Sequence, residues 1–203
     1  VTAPGAEGKS YEVDMRLRPS GSKGPVAVSL SAFQRYHAEE AWTWERMALM
    51  RARFVAGTSA GLKRPVESAI RTAQTRPADA AKVLSDAAAM RARMLRDLPA
   101  EGPWDVKLMP GGLVEVEFIA QALQVAHAHR LPALLTPTTR HALAALAKAR
   151  LLGAEEAAQL IAAAVAPLLP SPAVDQAALR AQMSAAAARV RASFIARVGT
   201  LDA

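Results

Sequence analysis

The sequence predicts a mainly helical protein, a bundle preceded by a short strand region, and three observations carry that reading. Period-2 alternation is confined to the N-terminal stretch, apolar residues recur at three- and four-residue steps over most of the remainder, and Gly and Pro punctuate the stripes. With 203 residues, 52% of them hydrophobic, the chain is long enough to bury a core of its own.

Taken in order, the first element is Tyr11 to Leu17. Alternation there sets Glu12, Asp14, Arg16 and Arg18 on one face and Tyr11, Val13, Met15 and Leu17 on the other, and Pro19 and Gly21 end the strand. A carboxylate among cations is suited to hold Mg²⁺ while arginines fork onto phosphate oxygens. The same pattern also describes an amphipathic edge strand with solvated charges. Val26 to Leu30 reads as a second strand after the Gly21 to Gly24 turn, completing a hairpin. Ser31 is expected to cap a helix that runs to about Val55 and stops at Gly57. Trp42 and Trp44 lie on different faces of it, one expected against the sheet and the other against a neighbouring helix.

The small-residue break Gly57 to Gly61 is the expected domain boundary, dividing the chain into 1–58 and 59–203; it lacks the lysine and serine of a Walker loop, so a linker is the simpler reading. Helices are expected near 65–75 and 78–97, the second carrying Val83, Ala87, Met90, Met94 and Leu98 on one side. Asp105 to Gly112 reads as a short extended piece and a tight turn, followed by a helix from Leu113 to about His129. Glu115 and Glu117 share a face in a strand but lie about 200° apart in a helix, so a helix prevents both from binding one metal. Thr138 or Thr139 caps a helix bearing Leu143 and Leu146, Gly153 punctuates, Ile161 and Val165 line the next helix, and Pro167, Pro170 and Pro172 end it. The last helix displays Leu179, Met183, Ala186, Val190, Phe194 and Val198, a stripe suited to bundle packing.

Composition narrows the function classes. The net charge is +7 and the pI near 10.4, but the cations, Arg91 and Arg191 among them, are spread along the chain and aromatics make up 4%; solvated helix faces explain most of them, and no nucleic-acid partner is expected. Without cysteine there is neither a disulfide nor a thiolate zinc site, which fits a cytoplasmic setting. His37, His127, His129 and His141 have no metal-ligand spacing. No run approaches the roughly 20 apolar residues of a membrane span, so no membrane partner is expected.

Several strings then point to one family in the same order: Tyr11-Glu12-Val13-Asp14-Met15-Arg16-Leu17-Arg18-Pro19-Ser20-Gly21, Ala41-Trp42-Thr43-Trp44-Glu45 with Arg51-Ala52-Arg53, Asp105-Val106-Lys107-Leu108, and Gly111-Gly112-Leu113-Val114-Glu115-Val116-Glu117-Phe118-Ile119. Over nearly the whole chain they closely resemble bacterial glutamine synthetase adenylyltransferase. Its members carry two similar polymerase β-type nucleotidyltransferase halves, one removing AMP from glutamine synthetase and one attaching it. Ser20 and the Ala-Trp-Thr-Trp-Glu string look more like the C-terminal, AMP-attaching half. The resemblance implies that the strands and first helix are the last part of a nucleotidyltransferase domain and that an all-helical domain follows. It implies ATP as substrate, Mg²⁺, glutamine synthetase and a PII-type signalling protein as partners, and a response to glutamine.

By the same resemblance Asp14 matches the third metal carboxylate and a base for the tyrosine proton, Arg16 and Arg18 steady phosphates, Lys107 contacts phosphate or substrate across the cleft, and Glu117, with Gln121 one turn later, positions the target tyrosine or an arginine of the partner domain. Glu115 is the weaker candidate, and Gly111 and Gly112 serve backbone geometry. The chain departs from the family in one respect: no Gly-Ser turn followed by Asp-x-Asp occurs, since Gly21-Ser22 leads to Lys23-Gly24. A two-metal clamp needs those carboxylates, so the expectation is a fragment inactive alone. The rivals are a related uridylyltransferase acting on a PII-type protein and a non-catalytic helical interaction module.

Overall fold

The computed structural model describes residues 19–57, 59, 61–102, 104–165 and 176–201, and among them are eight α-helices and no strand. The chain is mainly α, as expected. Two compact units divide between Ala41 and Trp42.

In the first unit a 3-10 turn, Gly21–Lys23, follows Ser20, whose φ of 62 is left-handed. The second strand expected over Val26 to Leu30 is not formed: residues 25–29 have no regular structure and Leu30 opens α1 (Leu30–Glu39). A strand needs a ladder partner, and Val26, 66% exposed, has no strand beside it among the described residues. Ser29, rather than Ser31, is the cap; its hydroxyl accepts the Ala32 amide at 3.2 Å. Within α1 the His37 ring packs on Phe33, centroids 4.4 Å apart.

The single helix expected to Val55 is two. α1 stops at Glu39, and α2 (Thr43–Leu49) begins anew because the Glu45 carboxylate accepts the Trp42 amide at 2.9 Å, satisfying a donor that the helix start leaves open. Trp42 is 71% exposed and Trp44 36% exposed, so neither is a buried core residue. Residues 52–57 connect without regular structure to α3 (Lys63–Gln74), where the Gln74 amide donates to the Leu49 carbonyl at 2.8 Å. α4 (Ala80–Asp97) is capped by Asp79, whose carboxylate accepts the Ala81 and Lys82 amides at 2.9 and 3.2 Å.

α5 (Leu113–His127) is the axis of the second unit, with α2, α4, α6 (Thr139–Lys148), α7 (Ala154–Val165) and α8 (Gln176–Arg197) against it. Every residue from Val114 to Ala126 except Glu117 is buried, which follows from a sequence apolar nearly all round. At its far end Gln124 donates to the carbonyls of Leu134 and Thr136 at 2.8 and 3.1 Å, fixing the loop into α6. α6 ends where Arg150 turns left-handed at φ 60. α7 and α8 are joined by Arg197, which forks onto Glu156 at 3.0 and 2.5 Å. The core around α5 holds Met47, Val83, Ile119, Leu143, Leu160 and Phe194, all under 5% exposed; each large member contributes roughly 1.5–3 kcal/mol of burial. No helix is long and apolar enough to cross a membrane among the described residues.

Candidate functional site

The richest local chemistry lies in Asp105–Gly112 and the first turn of α5. The segment is a succession of turns rather than the expected extended piece, and Asp105 organises it: one carboxylate oxygen accepts the Lys107 and Leu108 amides at 3.2 and 3.0 Å, and the other accepts the Glu101 amide at 3.4 Å. Those amides, Leu108 foremost, hold the Asp105 carboxyl below the usual aspartate range. Lys107 is exposed, and among the described residues no hydrogen bond or ion pair engages its ammonium.

The carbonyls of the same turn cap α5. Leu113 donates to Val106 at 2.9 Å and Val114 to Lys107 at 3.2 Å, while Glu115 and Val116 both reach Gly112. Gly112 donates to Met109 at 2.9 Å, so the four amides that a helix start leaves open, those of Gly112, Leu113, Val114 and Glu115, are all occupied, and the Val116 bond is the first of the helix itself. The end of α5 is no anion cradle, and any phosphate contact made here falls to the Lys107 ammonium. The two glycines are required by closeness, as expected. Gly111 has φ +76, and a Cβ there would stand 1.9 Å from the Ala187 carbonyl oxygen of α8. At Gly112 a Cβ would meet the Val106, Met109 and Lys107 oxygens at 2.6, 2.8 and 2.9 Å.

Glu115 and Glu117 part company as helical geometry requires. Glu115 is wholly buried and its Oε1 accepts Arg91 Nε at 3.0 Å and Arg191 Nη1 at 2.7 Å, joining α4, α5 and α8 in one charge triad. Arg91, 0% exposed, also donates through Nη2 to the carbonyls of Leu108 and Met109 at 2.8 and 3.0 Å. Burial pulls the Arg91 guanidinium below its ordinary value, and the Glu115 charge opposes that pull. Arg91 is thus an exception among cations most of which are expected on solvated helix faces. It lies on the stripe Val83, Ala87, Arg91, at steps of four, so a cation on an apolar stripe was the available signal. Glu117 faces outward and pairs with Arg51 at 2.9 Å, side chains 37% and 53% exposed. Gln121, one turn on, is buried at 8% exposure. No bond joins Lys107 to Glu117 among the described residues. Asp14, Arg16 and Arg18 lie outside the described residues.

Beside the turn is a cavity of about 450 Å³ lined mainly by apolar groups, including Trp104, Met109, Leu113, Val116, Met183 and Ala186. The Arg180 guanidinium lies over the Trp104 ring at 5.3 Å. Among the described residues no three His, Asp or Glu side chains come together as a metal site.

Comparison with known proteins joins these parts. Residues 1–68 match the family model of glutamate-ammonia ligase adenylyltransferase, and residues 84–166 match that of GlnD PII-uridylyltransferase. A bifunctional glutamine synthetase adenylyltransferase/adenylyl-removing enzyme of Mesorhizobium japonicum is 54% identical over 121 residues, which is 60% of this chain and 12% of the relative. The enzyme of that name from Caulobacter vibrioides is 50% identical over 163 residues, 80% of this chain and 16% of the relative. One from Bradyrhizobium diazoefficiens is 45% identical over 157 residues, 77% of this chain and 16% of the relative. The chain spans about an eighth to a sixth of the length of these curated relatives. It is a homologue of one segment of the bifunctional glutamine synthetase adenylyltransferase/adenylyl-removing enzymes.

Proposed function

We propose that this chain works within an adenylyltransferase that moves AMP from ATP to a tyrosine of glutamine synthetase, and that it corresponds to the C-terminal, AMP-attaching half. The observation that carries the reading is the 50% identity over 163 residues, 80% of this chain, to a bifunctional glutamine synthetase adenylyltransferase/adenylyl-removing enzyme, together with the match of residues 1–68 to the adenylyltransferase model. A division near residue 58 belongs to the same proposal; residues 1–68 match the adenylyltransferase model and residues 84–166 that of GlnD PII-uridylyltransferase. A uridylyltransferase acting on a PII-type protein is the second reading, favoured only by the match over residues 84–166. A PII-type regulator and a cytoplasmic setting belong to the first proposal, since both follow from glutamine synthetase as target.

In the proposed reaction the tyrosine oxygen attacks the α-phosphorus of ATP, its proton passes to Asp14, and the bond to pyrophosphate breaks. Lys107 binds phosphate oxygens as a point charge from an ordered turn, and Arg16 and Arg18 steady the same group. The described residues do not fit Mg²⁺: Glu115 is committed to two guanidinium groups and Glu117 to Arg51. The ion is assigned to Asp14 with carboxylates elsewhere in the intact enzyme, where it would neutralise phosphate charge. Glu117 serves the assembly by holding Arg51.

The decisive experiment is Asp14→Asn in the intact enzyme. AMP attachment should be abolished with the melting temperature retained, because neutralising the carboxylate removes both the metal ligand and the base. Normal turnover with ordinary Mg²⁺ dependence would remove Asp14 from the site.

A further inference from the structure

Arg91 and Arg191 are both bonded to Glu115, yet they do different things. Among the described residues Arg191 is bonded to Glu115 alone, and its side chain is 27% exposed. Arg91 is enclosed and divides its donors, Nε to Glu115 and Nη2 to the Leu108 and Met109 carbonyls. The peptide units on both sides of Lys107 are therefore gripped: Asp105 takes the amides of Lys107 and Leu108, and Arg91 takes the carbonyls of the two residues that follow. Lys107 also gives its own carbonyl to the Val114 amide at 3.2 Å. The backbone under an exposed ammonium that makes no hydrogen bond or ion pair among the described residues is thus fixed from α4, from α5 and from within the turn.

Stability is a poor reason for this arrangement. Buried ion triads recover little beyond their desolvation cost, and apolar side chains of similar volume often do as well or better. What a guanidinium supplies and an apolar group does not is a directional fork that ties a carboxylate and two carbonyls to one rigid plane. Catalytic groups lose rate steeply when displaced by about 1 Å, so a fork of this kind has its use in placement.

We infer that Arg91 is a positioning residue for the adenylyl-transfer reaction: it locks the Lys107 turn to α4 and α5, so that the Lys107 ammonium stands at a fixed place for phosphate. The inference rests on Lys107 being a phosphate contact, and its test separates the two ideas. In the intact enzyme Arg91→Met keeps the packing and removes the fork, Arg91→Lys keeps the charge with one donor atom, and Arg191→Met removes the arm that does not reach the turn.

Hydrogen exchange of the Lys107, Leu108 and Met109 amides should quicken about tenfold or more in both Arg91 variants and stay within about twofold of the parent in Arg191→Met. The kcat for AMP attachment should fall about tenfold in Arg91→Met, with KM for glutamine synthetase unchanged and partial recovery in Arg91→Lys. The double variant Arg91→Met/Lys107→Ala should be no slower than Lys107→Ala alone, because the fork acts through that ammonium. Unchanged exchange in both Arg91 variants overturns the inference, as does a double variant slowed by the product of the single effects. Quickened exchange together with full activity in Lys107→Ala leaves the clamp in place and removes instead the phosphate role of Lys107.

Discussion

Two glutamates spaced by two residues on α5 have opposite fates, and each can be read out separately. Glu115→Gln leaves the buried Arg91 guanidinium, and the partly buried one of Arg191, without their anion, so the variant should lose about 3–5 kcal/mol by chemical denaturation. Glu117→Gln breaks an ion pair whose partners are well exposed, and should cost at most about 1 kcal/mol. Equal losses would show that the buried triad is not the stronger tie. Lys107→Ala should behave in the reverse sense: little change in stability, within about 0.5 kcal/mol, but AMP attachment slowed about ten- to a hundredfold in the intact enzyme if one charge-assisted contact of about 1.5–3 kcal/mol is lost. Normal activity and normal melting together would remove Lys107 from the site. The divergence of the two glutamates was legible because helical geometry alone sets their angle. The partners of Glu115 were not, since Arg91 lies 24 and Arg191 76 residues away in sequence, and no local pattern encodes such a meeting.

At the scale of elements, α7 and α8 are tied by the Arg197 fork on Glu156, with Glu156 mostly buried. The Arg197 hydrogen bonds hold the Glu156 carboxyl below its ordinary value, and Glu156 in turn raises Arg197. A carboxyl lowered on folding stabilises fully above its unfolded pKa and loses that contribution as pH falls through the folded value. The melting difference between the parent chain and Glu156→Gln should therefore be largest near neutral pH and shrink between about pH 5 and pH 3; a difference independent of pH would assign the tie to packing alone. Long amphipathic helices were the legible elements, α3 to α8 appearing close to their expected places. The misreadings fell where local and tertiary signals compete. Val26 to Leu30 has strand composition but no neighbour to pair with among the described residues, and one aromatic-rich stretch was split by the Glu45 contact to Trp42.

For the whole molecule, the chain without a Gly-Ser turn and Asp-x-Asp pair should transfer no labelled AMP from ATP to glutamine synthetase. Incorporation above a no-protein control would mean that carboxylates of this chain suffice. The central position of α5 also bears on how the protein is made. Its apolar surface is complete once His127 leaves the ribosome, but the last helix that covers it ends at Arg197, 197 − 127 = 70 residues later. At roughly 5–20 residues per second that interval is about 4–14 s, far longer than the microseconds a helix needs to form. During those seconds α2 and α4, already made, can pack on one side of it, while the faces that α6, α7 and α8 cover stay open. Slow codons placed after residue 127 would lengthen the exposure, and demand for a holdase during synthesis should rise with them.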